Sequence, residues 1–374
     1  MTAVEAPVDV EVKGTGLLDA DGHLFEDFRA IIDRLRSPYR EMKEAEFSLM
    51  GQRNVFPPIG FLNATPFEQT AVVDRQPQET GRTPESWLYF LDAVGIEQTV
   101  LYPTFGQTIH RSRDFDYAIA LCQAYNDWVA DTYLRHPSGR FQAVALIPMQ
   151  LPSAAVEELK RAVKQLGFVG SVTQAHGMPN HLGSEFYYPV YEACQDLDVG
   201  IAFHGAGFEG LGFDDFNVFA GAHALGHPIG QLIVLAGMLF NNVFEIFPGL
   251  RAAYLEAGAG WILMAGERFT ESYKFLHPIS PRVLQLKEGT SVIDYLRELM
   301  SQGRIVLGCE GGEHHLTTAI DYLGCQPFMY ASDFPHEVSV ESCKHELEEL
   351  SQLELDDEAK RLLRGGTARK FYRL

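Results

Sequence analysis

Asp21, His23 and Glu26 lie at the end of the first apolar segment of the chain, in the run GLLDADGHLFED. Carboxylate oxygens and imidazole nitrogens are common metal ligands in proteins. Residues two apart on an extended strand point their side chains to the same side, so Asp21 and His23 can face one ion. The run therefore predicts a metal-binding pair at the end of a strand, with Glu26 in the loop that follows.

Four further residues of the same chemical types also follow apolar runs far downstream. They are His204 in IAFHG, Glu256 in AAYLEAGAG, Glu310 in IVLGCE and Asp333 in MYASDFPH. Several carboxylates at short range cannot all stay ionised unless a cation is present. If these strand ends meet, the set predicts a metal site, with Glu256, Glu310 and Asp333 as the candidate catalytic carboxylates.

Taken singly, several of these residues have an ordinary structural interpretation. Glu26 can cap the helix that begins in FEDFRAIIDRL, and His204 can be a buried histidine that is satisfied by hydrogen bonds. His223 and His227 form an H-x3-H pair, but Pro228 indicates that a helix begins near His227, which weakens the pair. We retain His227 as a secondary metal candidate and interpret His223 as structural.

Other histidines lie near the predicted ligands in the sequence. His314 and His315 follow Glu310 closely, and His336 lies three residues after Asp333. We interpret the first two as loop residues of the same region. His336 is expected to orient a ligand or to cap the next helix.

The elements that must position these residues follow a regular order of apolar runs and amphipathic segments. Eight runs are nearly continuous in apolar residues, as in a parallel sheet that is covered on both faces. These predicted strands are 16–21, 98–104, 141–149, 168–174, 199–205, 251–257, 304–310 and 327–333. Strand followed by helix, eight times, predicts an α/β fold of the (β/α)8 TIM-barrel type, in which the carboxyl ends of the strands converge. A doubly wound sheet is the alternative, but no GxGxxG follows the first strand.

The chain is longer than the roughly 250 residues of a bare barrel, so insertions are expected. We predict one domain, 1–374, with insertions at about 38–81 and 277–302 that act as lids over the C-terminal face of the barrel. The aromatic-rich segments FPPIGFLNATPF and GFEGLGFDDFNVF are candidates for lining an apolar pocket.

Composition excludes several classes of function. The net charge of −20 opposes binding to nucleic acid or to an anionic membrane. No signal peptide is recognisable, and no apolar stretch is expected to reach the length of a membrane span. The five cysteines are scattered without a zinc or disulfide pattern, which favours the cytoplasm.

Four segments together resemble the amidohydrolase-related family, which includes metal-dependent decarboxylases and hydrolases. They are LLDADGHLFE, IAFHGAG, the stretch FEIFPGLRAAYLEAGAGWILMAGERF, and YASDFPHE with the closing GGTARKFYRL. The resemblance implies a distorted TIM barrel with metal ligands on strands one, five, six and eight. Carried over by position, the family's H-x-H falls on Asp21 and His23, its other ligands fall on His204 and Asp333, and its strand-six histidine falls on Glu256.

The carboxylates that replace two histidines favour iron or manganese over zinc, and two ions over one. In this respect the chain is similar to the TIM-barrel non-haem diiron monooxygenases, including one of platensimycin-type diterpenoid biosynthesis. That resemblance implies two iron ions, O2, an external electron donor and hydroxylation of an apolar, coenzyme A-linked substrate in secondary metabolism. Basic residues Arg29, Arg34, Arg36 and Arg40 are then candidates for contacting phosphates.

The alternative is a hydrolase or a non-oxidative decarboxylase that uses zinc or manganese. One of Glu256, Glu310 and Asp333 then acts as a general base instead of a ligand. A barrel that binds a small molecule without catalysis is a third interpretation, and the sequence is compatible with a homo-oligomer. Activity without O2 separates the alternative from the oxygenase.

Overall fold

The computed structural model describes residues 16–51, 54–58, 77–175, 177–205, 210–280 and 284–374. Within these ranges, eight parallel strands form one sheet whose order follows the chain from β1 to β8. The strands are β1 (Leu17–Leu24), β2 (Ile96–Pro103), β3 (Phe141–Leu146), β4 (Gly170–Gln174), β5 (Gly200–His204), β6 (Ala252–Tyr254), β7 (Ile305–Cys309) and β8 (Phe328–Tyr330).

Each predicted strand overlaps an observed one, and the predicted (β/α)8 barrel is confirmed. Six of the eight strands are buried at every residue, because helices cover the outer face and the barrel core covers the inner face. Backbone hydrogen bonds bring the segment after β8 to β1: Asp333 N donates to Asp21 O at 2.9 Å, and His23 N donates to Phe334 O at 2.6 Å. The eight strands thereby form a nearly closed barrel.

Helices surround the sheet. They are α1 (Phe28–Arg34), α2 (Tyr39–Met50), α3 (Pro84–Val94), α4 (Phe115–Val129), α5 (Pro152–Arg161), α6 (Tyr188–Asp196), α7 (Phe219–Phe240), α8 (Val243–Ile246), α9 (Trp261–Leu276), α10 (Val292–Ser301), α11 (Leu316–Leu323), α12 (Val340–Gln352), α13 (Asp357–Arg361) and α14 (Thr367–Tyr372). Local sequence fixes several ends. Thr83 accepts a hydrogen bond from Ser86 N at the start of α3, and Gly95 ends that helix with a φ of 88°.

The barrel interior is packed, and α14 contributes to it. Apolar side chains from the strands form one cluster with Ala368, Phe371 and Tyr372 of α14. The Tyr372 hydroxyl lies 2.5 Å from the Tyr102 hydroxyl and donates to Ala20 O at 3.1 Å. Side chains of α14 therefore fill part of the barrel interior, beneath the strand ends that carry the predicted ligands.

A bulge distorts β1 at the predicted ligand pair. Asp19 pairs with Thr99 and Gly22 pairs with Leu101, so β1 advances three residues while β2 advances two. A bulge changes the direction of the side chains that follow it. This irregularity places Asp21 and His23 at the mouth of the barrel, and it agrees with the distortion that the family resemblance implies.

The structure describes only part of the two predicted lids. Residues 59–76, which include most of the first aromatic segment, lie outside the described residues, as do 206–209 and 281–283. In the second insertion, α10 packs against α9, α11 and β7 and buries Val292, Leu296 and Leu299. This helix belongs to the outer wall of the barrel, so 292–301 is not a separate excursion. The lid function of the remaining segments stays a prediction.

Helix α7 corrects one expectation about apolar segments. It is a largely apolar helix of 22 residues, so by length and composition it could cross a membrane. Gln231, on its buried side, donates to Phe203 O and Leu255 O, at 2.8 Å in each case. A helix that packs on a barrel can have the same length and composition, so α7 is weak evidence for a membrane span.

Candidate metal centre

Four of the predicted ligands meet at the barrel mouth, around the Nε2 atom of His23. This atom lies 3.2 Å from His204 Nε2 and 3.4 Å from an oxygen of Asp21. It also lies 3.4 Å from Asp333 Oδ1. Ligand atoms of Asp21, His23 and His204 lie within 4.8 Å of one another, as do those of His23, Asp333 and His336. The ends of β1 and β5 and the segment after β8 therefore bring two histidines and two aspartates together.

The surroundings of His23 determine where its proton lies. Its Nδ1 is 3.2 Å from the carbonyl oxygen of Pro103, which can only accept a hydrogen bond. Burial and repulsion from His336 lower the pKa of His23, so its neutral form is favoured. The proton of the neutral ring then lies on Nδ1, and Nε2 faces the cluster without a proton.

His204 has a carboxylate at each ring nitrogen. Its Nε2 lies 3.1 Å from Asp21 Oδ2, and its Nδ1 lies 3.0 Å from Glu256 Oε2. Burial lowers the pKa of His204, but the two carboxylates outweigh burial and raise the pKa well above 6.5. Burial likewise raises the pKa of Asp21, and the two histidines outweigh it and lower the pKa to about 2. Without an ion, a proton on His204 therefore holds the cluster together.

This arrangement fits a metal ion. Two imidazole nitrogens at about 2.1 Å from one ion, at an angle of 90–110°, are separated by roughly 3.0–3.4 Å. The observed separation of 3.2 Å between the Nε2 atoms of His23 and His204 lies in this range. The ion would take the place of the proton on His204 Nε2, while Nδ1 would keep its proton and face Glu256 Oε2 and the carbonyl oxygen of Gly205.

The position of the Asp333 carboxylate depends on the backbone conformation of Asp333 and on a contact with His336. Asp333 has a φ of +53°, a left-handed conformation that non-glycine residues rarely adopt. His336 Nδ1 lies 2.8 Å from Asp333 Oδ1, and His336 Nε2 lies 3.1 Å from Thr104 Oγ1. Burial lowers the pKa of His336, but Asp333 outweighs it and raises the pKa to about 9. The geometry agrees with the expectation that His336 orients a ligand.

Glu256 lies behind His204 and not in either metal-binding group of the described residues. Its Oε2 contacts His204 Nδ1 and also lies 3.1 Å from His227 Nδ1. Glu256 has a φ of +58° at the end of β6, and Gln231, one turn after His227, fixes α7 to the ends of β5 and β6. The structure therefore pairs Glu256 with His227, where the sequence predicted that each would bind the metal.

Glu310 also lies outside both metal-binding groups, although it lines a small pocket with Asp21, Glu256 and Asp333. Glu310 is exposed to solvent at the mouth, but neighbouring protein groups remove part of the hydration of its carboxylate. Loss of hydration and repulsion from Asp333 and Glu313 raise the pKa of Glu310 to about 8. His314 and His315, on the loop that follows, are exposed.

Glu26 stabilises a loop instead of joining the cluster. Its carboxylate accepts hydrogen bonds from Phe105 N at 3.2 Å and Gly106 N at 2.8 Å, at the start of the 3-10 helix Gly106–Arg111. Burial, which the hydrogen bonds only partly offset, raises the pKa of Glu26 to about 7. The structural interpretation of Glu26 is therefore favoured over a metal ligand, although it caps the segment after β2 and not α1, which Asp27 caps.

Sequence reasoning missed Asp19 and Gln107. Asp19 is fully buried and accepts hydrogen bonds from Thr99 Oγ1 at 2.7 Å and Ser332 N at 2.8 Å, which links β1 to β2 and to the segment after β8. The signal was present, because Asp19 interrupts the apolar run LLDA. Gln107 Nε2 lies 3.2 Å from His204 Nδ1, but no pattern marks it in the sequence.

The basic residues proposed for coenzyme A phosphates have other partners. Arg36 donates to the backbone oxygen of Asp116 at 3.3 Å. The other three form ion pairs, which are Arg29–Asp33, Arg34–Asp131 and Arg40–Glu44. Carboxylates neutralise this surface, so the structure gives no support to a phosphate site there.

The chain is similar to several decarboxylases. It is 24% identical over 207 residues, 52% of this chain and 56% of the relative, to the 2-amino-3-carboxymuconate-6-semialdehyde decarboxylase of Dictyostelium discoideum. It is 32% identical over 120 residues, 30% of this chain and 36% of the relative, to the gamma-resorcylate decarboxylase of Polaromonas sp.. The chain thus spans about half or less of the length of these curated relatives.

A solved structure is similar over nearly the whole chain. It is a 5-carboxyvanillate decarboxylase from Novosphingobium aromaticivorans with bound manganese and 3-methoxy-4-hydroxy-5-nitrobenzoic acid, with a TM-score of 0.69 and 19% identity. The match covers 96% of this chain and 98% of that one. At this identity the likeness shows the fold, which is the TIM barrel described above.

The predicted diiron monooxygenase is wrong. These relatives are named as decarboxylases, and the solved structure is described with manganese and a benzoic acid derivative, with no sign of iron, O2, an electron donor or coenzyme A. The physical reason lies in the carboxylates. Glu26, Glu256 and Glu310 were expected to supply oxygen ligands for two ions, but none of them joins a metal-binding group of the described residues.

A family model identifies the wider relationship. The amidohydrolase model matches residues 102–374, which is well over half of the chain and includes His204 at the end of β5, Glu256 after β6, Glu310 after β7 and Asp333 after β8. The first strand, with Asp21 and His23, lies before the matched region and completes the barrel. The chain belongs to the amidohydrolase family.

Proposed function

We propose that this protein is a metal-dependent, non-oxidative decarboxylase of small carboxylic acids, with one ion held by Asp21, His23, His204 and Asp333. The observation that carries the proposal is the pair Glu256–His227 beside this cluster. It places a histidine that can give a proton next to the place where an ion can hold a carboxylic acid. The decarboxylase names of the relatives support the choice of reaction class.

The reaction breaks one C–C bond and forms one C–H bond. Carbon dioxide leaves, the electron pair of the broken bond stays on the substrate carbon, and a proton replaces the carboxyl group there. An ion held by Asp21, His23, His204 and Asp333 would supply Lewis-acid attraction for the carboxylate of the substrate. No electron leaves the substrate, so O2 and a reductant are not required.

His227 is the proposed proton donor. Its Nδ1 lies 3.1 Å from Glu256 Oε2, so this carboxylate fixes the orientation of the ring beside the proposed metal ligands. The same oxygen also lies 3.0 Å from His204 Nδ1, so one carboxylate contacts both rings. Gln231 keeps α7, and with it His227, in position above the ends of β5 and β6.

The proposed ion is manganese, with zinc as the other candidate. Two carboxylates and two imidazoles form a ligand set that suits either ion. Manganese is preferred because the similar solved structure holds it. A small aromatic carboxylic acid is the proposed substrate class, on the basis of the names of the relatives and the benzoic acid derivative in that structure.

The test is an anaerobic assay of the manganese-loaded protein with 2,6-dihydroxybenzoate and related acids in D2O. We expect release of carbon dioxide without O2 and one deuterium in the product, at the carbon that lost the carboxyl group. An absolute requirement for O2, or no carbon dioxide from any of the acids, would overturn the proposal.

His227 has a matched control on the same helix. We expect His227→Gln to reduce kcat about 100-fold or more, because general acid catalysis contributes on this scale, and to leave manganese binding intact. His223, one turn earlier, contacts the rings of Phe219 and His227 but none of the four proposed ligands in the described structure. The His223→Gln variant should therefore keep most of the activity, and equal losses in the two variants would argue against His227 as the donor.

A further inference from the structure

Gln174, at the end of β4, has a buried side chain whose polar atoms are left without partners. It is 2% exposed, and within the described ranges neither its Nε2 nor its Oε1 has a hydrogen-bond partner. A buried amide without partners is unfavourable, and proteins leave few such groups unless a water or a ligand completes them. Gln174 therefore requires an occupant beside it.

The place of Gln174 in the sheet puts it next to the proposed metal centre. Gln174 on β4 pairs in register with His204 on β5, and Ala175 N donates to His204 O at 2.9 Å. Neighbouring strands are about 4.8 Å apart, and residues in register point their side chains to the same face. The amide of Gln174 thus lies one strand away from a proposed ligand.

A second unpartnered amide atom lies in the same cavity. Gln107 Nε2 donates to Pro103 O at 2.9 Å, but its Oε1 has no partner among the described residues. Gln107, His110, Thr173 and Gln174 line the cavity together with apolar side chains from and after β3. The open space at its centre is about 10 Å³, which suits one water molecule or one hydroxyl group.

We propose that Gln174 and Gln107 form a subsite for a single hydroxyl group of the substrate. A hydroxyl both donates and accepts, and the cavity offers the Nε2 donor of Gln174 and two amide oxygens as acceptors. The subsite deepens the proposed function, on which it rests, because it selects hydroxylated acids from other acids that the metal centre can hold. Gln174 is in this role a specificity-determining residue.

The proposal makes two linked predictions for the Gln174→Met variant, which keeps the length of the side chain and removes its polar atoms. Affinity for the acid with a hydroxyl at the recognised ring position should fall about 3- to 10-fold, the value of one hydrogen bond, whereas affinity for benzoate stays unchanged. The melting temperature of the free protein should rise, because two unpartnered buried atoms are gone.

The experiment measures binding of benzoate and its 2-, 3- and 4-hydroxy derivatives to the manganese-loaded full chain by calorimetry, together with thermal unfolding. Gln150→Met is the matched control. Gln150 is also buried, but only its Oε1 lacks a partner among the described residues and its Nε2 donates to Ile109 O at 3.0 Å, so this variant should lower the melting temperature. Gln174→Leu is a second variant, in case methionine packs poorly.

The outcomes separate this proposal from the decarboxylase itself. If Gln174→Met loses the preference for one hydroxybenzoate over benzoate and its melting temperature rises, the subsite is supported even if no carbon dioxide is released. If carbon dioxide is released and Gln174→Met binds the hydroxybenzoates and benzoate with the same relative affinities as the unsubstituted protein, the subsite is overturned and the decarboxylase proposal is retained. Equal loss for benzoate and all hydroxybenzoates, a melting temperature lowered as in the control, or no binding of any acid by the unsubstituted protein each overturn the subsite.

Discussion

Individual residues decide which carboxylates bind an ion and which support the residues that do. Asp21 and Asp333 face His23, whereas Glu256 faces the opposite ring nitrogen of His204. A carboxylate in this second position fixes the orientation of the imidazole and increases its basicity. Side chains of the same chemical type therefore have different tasks at one barrel mouth.

This distinction predicts different effects for two conservative changes. Asp21→Asn should lower manganese affinity strongly, because it removes a charged ligand. Glu256→Gln should still bind manganese, with the activity or the manganese affinity lowered about 10- to 100-fold. This range is typical when the hydrogen-bonding partner of a metal ligand is changed. Metal analysis after dialysis, with kcat on the loaded protein, checks both.

Glu310→Gln is the control, since Glu310 lies outside both metal-binding groups of the described residues. It should retain manganese as the unchanged protein does. Complete loss of manganese from Glu256→Gln or Glu310→Gln would restore these residues as ligands.

Glu26 predicts a pH dependence of stability. Burial raises its pKa from the ordinary 4.5 to about 7 in the folded protein, so the folded state binds more protons than the unfolded state between these values. Its contribution is fully present below pH 4.5 and is lost as the pH rises through about 7. The loss is at most about 3 kcal/mol. Urea unfolding of Glu26→Gln from pH 4.5 to 8 should show a smaller decrease than the unchanged protein, and parallel curves would contradict this role.

At the scale of the elements, the sequence predicted the strands well. Continuous apolar runs such as IAFH and IVLGC are specific for strands buried on both faces, and each ends near a polar residue at the mouth. The direction of each polar side chain was not predictable. It depends on the bulge in β1 and on the left-handed backbone at Glu256 and Asp333, and neither feature has a local sequence pattern.

Helix α14 carries an element-scale prediction. Phe371 is 2% exposed inside the barrel, and a Cβ atom at Gly200 of β5 would lie 2.3 Å from its ring. Phe371→Ala leaves a cavity there and should lower the free energy of unfolding by about 3–5 kcal/mol in urea. Tyr89→Ala, on the exposed side of α3, should change it little. A small effect of Phe371→Ala would mean that α14 does not stabilise the barrel.

For the whole molecule, the ion is expected to contribute to stability as well as to activity. The four proposed ligands come from β1, from β5 and from the segment after β8, so an ion would join the two ends of the barrel sheet. A ligand at 100 times its Kd stabilises a protein by about 2.7 kcal/mol. Treatment with a chelator should therefore lower the melting temperature, and added manganese should restore it.

Asp21→Asn provides the control for this comparison, because its melting temperature should respond little to chelator or manganese. An equal response in the two proteins would place the stabilising ion elsewhere.

The position of His23 limits how many ions this barrel can hold at its mouth. Both metal-binding groups of the described residues include His23, and its Nδ1 already faces a carbonyl oxygen. An imidazole nitrogen has one lone pair, so Nε2 can bind only one ion, and two ions cannot share His23 as a ligand. A titration followed by electron paramagnetic resonance should consequently reach saturation at one equivalent.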